Sequence, residues 1–142
     1  MKSRSLLALQ IFLWVVCAFH VAIGLGLNVS PAFPQVMAGH YGAEVNFTPA
    51  LLYILKPLGV FMLVVGFMAG AAAKNPLGNQ PIVYGLVLLF AARGLQRIVF
   101  QEEIANAVSI AASRNTANAA FFLLMALALV ALLRIANKEA AD

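Results

Sequence analysis

The chain has 142 residues, 63% hydrophobic and 10% charged, with a net charge of +4 and a mean hydropathy of +0.94. A soluble domain carries about 25% charged residues, so a chain this apolar lacks the polar surface to stay dispersed in water and belongs in a bilayer. The basic excess forms no cationic face with interleaved aromatics, which excludes a nucleic-acid surface, and the lone Cys17 excludes an intrachain disulfide, a paired-cysteine redox centre and a thiolate metal cluster.

Four apolar stretches, at about residues 5–27, 49–73, 81–100 and 117–135, reach the roughly 20 residues that a spanning helix needs. Lipid cannot satisfy free backbone groups, and the runs do not alternate as barrel strands do, so all four are predicted to be helices. The expected fold is an all-α integral membrane four-helix bundle, a single domain over 1–142. The first stretch follows Lys2 and Arg4, as a signal peptide would, but its apolar run is too long and no small-x-small cleavage site follows. It is expected to be a retained helix.

Residues 28–48 form the longest connection, in which Phe33–Met37 is expected to make a short surface helix. Asn28-Val-Ser30 and Asn46-Phe-Thr48 each precede a proline and read as turn chemistry. The second connection, Lys74-Asn-Pro-Leu-Gly-Asn-Gln-Pro81, is a tight polar turn. The third, 101–115, is amphipathic and expected to continue as helix outside the lipid. The tail, 137–142, is expected to be solvated.

Lys2, Arg4, Lys74, Arg134 and Lys138 fall on one side of a four-pass topology, and only Arg114 is a clear loop cation on the other. The positive-inside rule then places both termini and the 74–81 turn in the cytoplasm. The expected location is a bacterial inner membrane.

Polar residues inside the spans share faces. Gln10, Leu13, Cys17, His20 and Gly24 follow a 3-4 spacing on the first helix, and Lys56, Gly59, Leu63, Gly66 and Gly70 do so on the second. Gly66-Phe-Met-Ala-Gly70 is a small-xxx-small pair that lets helix backbones approach, so Gly59, Gly66 and Gly70 are predicted to pack against another helix. Arg93, Gln96, Arg97 and Gln101 share a face of the third helix.

A central Lys or Arg costs about 2.5–3.5 kcal/mol to insert and usually faces the protein interior or water. At a rise of ~1.5 Å per residue, His20 and Lys56 lie about 10 Å from the outer ends of their helices. Arg97 is shallower and Arg93 deeper. These residues suggest an outward-facing pocket lined by His20, Lys56, Arg93, Gln96 and Arg97. Glu44, Glu102 and Glu103 are the acids on that side available for pairing, and a lipid phosphate, a carboxylate or a quinone carbonyl would suit the cations. Simpler readings stand beside this one. Lys56 and Arg97 can snorkel to the headgroups, Arg93 can sit in a structural ion pair, and His20 can be a hydrogen-bonded interior histidine. Haem or chlorophyll ligation by His20 has no obvious second ligand to support it, and no cofactor is required by the sequence.

The Lys56-Pro-Leu-Gly59 start of a glycine-rich second helix reaching Gly66, and the third helix with Arg93 and Arg97 followed by Glu102-Glu103, resemble the DoxX-like group of small bacterial four-helix membrane proteins. The resemblance covers most of the chain through loose motifs. It implies a four-helix membrane fold and, in some members, a place in quinone-linked sulfur oxidation or membrane redox complexes, and it carries over no catalytic or cofactor residue. No carboxylate lies deep in a span, and no phosphate loop or metal-spaced His/Cys group is present. Three functions remain open: a non-catalytic subunit or self-associating partner of a membrane complex, a binding or redox-auxiliary protein holding a quinone or anionic lipid, and a small transporter or channel.

Overall fold

The four stretches that lipid would force into helices are helical. The computed structural model describes residues 4–141, and every regular element among them is a helix. These are α1 (Arg4–Val29), α2 (Phe33–Tyr41), α3 (Pro49–Lys74), α4 (Gln80–Val99), α5 (Gln101–Val108) and α6 (Ala112–Ala141). Four of them, α1, α3, α4 and α6, are long and apolar enough to cross a membrane. Lys2 lies outside the described residues.

Two boundaries differ from expectation. The fourth span starts at Ala112 rather than 117 and runs through the expected solvated tail to Ala141. Its ends are polar, so hydropathy does not mark them. They are held instead by side-chain bonds to other helices, including Ser5 Oγ to Glu139 Oε2 at the chain termini. The 101–115 connection is not one continuous helix. Phe100, at φ −102° and ψ 30°, separates α5 from α4, and Ser109 ends α5 in the left-handed region at φ 51°. The short surface helix expected at 33–37 is α2, which runs on to Tyr41. Gly42, at φ 72°, lets its N–H reach the Ala38 and Gly39 carbonyls, a left-handed cap that a side chain would strain.

The long helices pack as two close pairs, α1 on α3 and α4 on α6, joined mainly through α1 and α6. The α1–α3 seam brings Cys17 and Gly24 of the first stripe against Gly59, Leu63, Gly66 and Gly70 of the second. A Cβ on Gly24 would sit 2.7 Å from the Gly59 carbonyl oxygen, and one on Gly66 would sit 2.8 Å from Val21 Cγ2. Gly70 faces Cys17 Sγ. The backbones therefore approach too closely for side chains at these positions. Amides hold the seam at both ends. Asn28 Nδ2 donates to the Gly24 and Lys56 carbonyls at 2.9 and 3.3 Å, and Gln10 Nε2 donates to the Ala73 carbonyl at 3.1 Å.

The α4–α6 seam uses larger residues. Along α6, Asn115, Ala119, Phe122, Ala126, Leu129, Leu133 and Ala136 are buried in a 4-3 register, facing Val83, Leu86, Phe90 and Gly94 of α4. Gln80 and Asn137 exchange hydrogen bonds at one end, at 3.1 and 3.4 Å. Leu9, Leu13 and Val16 of α1 join the same core. The outward faces are strongly apolar: Phe67 is 75% exposed, Leu88 69% and Leu127 65%. Burial here sorts residues by size and fit more than by polarity, as expected when lipid is the outer solvent.

Candidate functional site

The candidate site lies at the end of the bundle where α2 and α5 cover the long helices. It begins with Arg97, in the last turn of α4. Asn115, 2% exposed at the start of α6, accepts from Arg97 Nη1 at 2.9 Å and donates Nδ2 to the Arg97 carbonyl at 2.8 Å. This reciprocal pair closes the α4–α6 seam opposite Gln80 and Asn137. The guanidinium carbon of Arg97 lies 5.4 Å from the Tyr41 ring centroid and 6.0 Å from that of Phe122. Arg97 Nε is buried without a hydrogen-bond partner.

Arg93 stands one turn earlier and is exposed, with its guanidinium carbon 5.6 Å from the Phe122 centroid. Two cations thus share one aromatic ring. The negative face of the ring attracts each by roughly 0.5–2 kcal/mol, while the cations repel each other. Such a pair is a standing attractor for negative charge.

Both arginines open onto a cleft of about 510 Å³ between α4 and α5. Gln96 and Glu103 line it with them, and Phe100, Ile104, Val108 and Ile110 give it an apolar wall. The α2 cap is tied over the neighbouring end of α6. Arg114 Nη2 donates to the His40 carbonyl at 3.0 Å, Asn118 Nδ2 donates to the Tyr41 carbonyl at 3.3 Å, and the Glu44 N–H donates to the Val108 carbonyl at 2.9 Å.

The five residues expected to line one pocket are divided among three places. Arg93, Gln96 and Arg97 share the cleft. Lys56 is exposed in a separate shallow groove of about 410 Å³ with Asn28, Tyr53, Pro57, Val60 and Phe61. His20 is buried, with its Nδ1 2.8 Å from the Val16 carbonyl and its ring beside Phe19 and Phe90. A carbonyl only accepts, so Nδ1 carries the proton and the ring is bonded to its own helix. The division follows from the paired packing. Lys56 lies on the α1–α3 pair and the arginines on the α4–α6 pair, and equal depth on two helices does not make their side chains meet.

The acids behave differently from one another. Glu103 lines the cleft, Glu102 is exposed beside it on α5, and Glu44 contributes its backbone N–H. Among the described residues, none of the three forms an ion pair with Arg93, Arg97 or Lys56.

Tyr41, Asn115, Asn118 and Phe122 belong to the site but did not stand out in the sequence. Asn115 carried a readable signal, because it continues the 4-3 register of Ala119, Phe122 and Ala126. Tyr41 carried none, since its place depends on how α2 folds back over α4 and α6. Comparison with known proteins adds no relative: no family model, curated protein or solved structure matches this chain.

Proposed function

We propose that this chain is an integral membrane binding protein, with its termini and the α3–α4 turn in the cytoplasm, that holds a phosphate-bearing lipid by its headgroup in the α4–α5 cleft. The observation that carries this reading is the pairing of Arg93 and Arg97 over one ring, in an apolar-walled cleft, with no carboxylate among the described residues in ion-pair contact. Charge-assisted hydrogen bonds are roughly twice as strong as neutral ones. Two guanidiniums therefore favour a phosphate over the neutral carbonyl of a quinone. The apolar wall suits the glycerol backbone and the first chain carbons of a lipid. The chain acts without chemistry of its own, as a lipid-organising component. DoxX-like kinship rests on the sequence motifs alone: Lys56-Pro-Leu-Gly59 leading to Gly66, and Arg93 and Arg97 followed by Glu102-Glu103.

The test is native mass spectrometry and phosphorus analysis after purification in mild detergent. One phospholipid per chain is expected, and Arg93→Ala should lose it while keeping the wild-type helix content. Arg93 is the residue to change because Arg97 also holds the fold. Equal lipid retention by Arg93→Ala would refute the assignment. A structural role in a larger assembly, the other reading of a small chain with outward apolar faces, would appear in the same spectra as bound polypeptides.

A further inference from the structure

We infer that the headgroup taken by the cleft is zwitterionic, a phosphate ester carrying a primary amine, with the phosphate on Arg93 and Arg97 and the ammonium on Glu103. This rests on the lipid-binding reading above. The cleft carries both signs of charge, since Arg93, Arg97 and Glu103 all line it. Glu103 sits in the first turn of α5, on the α5 side of the cleft. It is exposed and forms no ion pair with either arginine, so both signs remain available to a ligand.

The order of the charges also fits. Arg97 is half-buried and bonded to Asn115, whereas Glu103 is exposed on α5, beyond the end of α4. A phospholipid presents its phosphate nearer the chains and its amine nearer the water. A primary ammonium donates hydrogen bonds to a carboxylate, and a quaternary choline cannot. A headgroup with only negative charge sets that charge against Glu103. The expected ranking is phosphoethanolamine lipid first, with phosphoglycerol and phosphocholine lipids behind it. The preference should reach about fivefold, the size of one exposed ion pair.

The test exchanges the purified protein into nanodiscs containing equal amounts of phosphatidylethanolamine, phosphatidylglycerol and phosphatidylcholine, followed by mass spectrometry of the lipid retained on release. Wild type should retain the ethanolamine lipid preferentially. Glu103→Gln should retain lipid but lose the preference, and Glu102→Gln, which changes the same charge outside the cleft, should keep it. If wild type retains no lipid, the lipid-binding reading itself fails. If lipid is retained without preference for ethanolamine, or if Glu103→Gln leaves that preference intact, the zwitterion assignment falls and the lipid site stands. The same holds if Glu102→Gln abolishes the preference as fully as Glu103→Gln. Water-soluble glycerophosphoethanolamine should fail to displace the lipid when equimolar with it. Displacement would show that the headgroup alone is the ligand.

Discussion

Replacing Asn115 with alanine removes the one side chain that bonds both the guanidinium and the backbone of Arg97. Interhelical hydrogen bonds in membrane proteins average about 0.6 kcal/mol and reach about 1.7 kcal/mol. The bond from Arg97 Nη1 is charge-assisted and belongs near the upper figure, and the bond to the Arg97 carbonyl belongs near the mean. Their sum is about 2 kcal/mol. No compensation is near, because Arg97 Nε already lacks a partner and the neighbours of the guanidinium are the Tyr41 and Phe122 rings. Asn115→Ala should therefore lower stability by about 2 kcal/mol, measured as reversible unfolding in mixed micelles of increasing dodecyl sulfate content. Asn118→Ala loses a single 3.3 Å bond to the Tyr41 carbonyl and should cost about 0.6 kcal/mol or less. A change below about 0.5 kcal/mol for Asn115→Ala would refute the view that this pair locks the end of the α4–α6 seam.

The α1–α3 seam gives a second stability test. Gly59→Ala places a methyl group against the Asn28 amide and the Gly24 carbonyl and should destabilise by about 1–3 kcal/mol. Gly85, with open space where its side chain would be, should tolerate alanine and gain up to about 1 kcal/mol from helix propensity. The same unfolding assay compares them, and equal effects would mean that close backbone approach is not what selects glycine at Gly59. Orientation is tested with a cysteine at Lys74→Cys in a Cys17→Ala background. A membrane-impermeant thiol reagent should label it only after cells are opened, and labelling of intact cells would invert the topology.

Element existence was legible because bilayer thickness demands long apolar runs and this chain has four. The glycine stripe of α3 was legible for a related reason. Between helices in lipid, small residues mark contact, so Gly59, Gly66 and Gly70 announced a seam before its partner was known. The site was only partly legible. Arg93, Gln96 and Arg97 share one helix face by their spacing, and that local geometry carried over into the cleft. His20 and Lys56 were grouped with them because each lies on a 3-4 stripe of its own helix at a similar depth, and neither stripe nor depth says which helix faces which.

Hydropathy and charge asymmetry, both properties of the chain in sequence order, thus determined the four segments long and apolar enough to cross a membrane and the expected sidedness, without reference to any contact. The pairing of α1 with α3 and of α4 with α6 was decided only in three dimensions, because it depends on how residues far apart in sequence fit against one another. That pairing separates Lys56 from the arginines and buries Asn115. It also leaves the Arg97 guanidinium between Tyr41 and Phe122, an arrangement that depends on the fold of a short surface helix and that no one-dimensional pattern encodes.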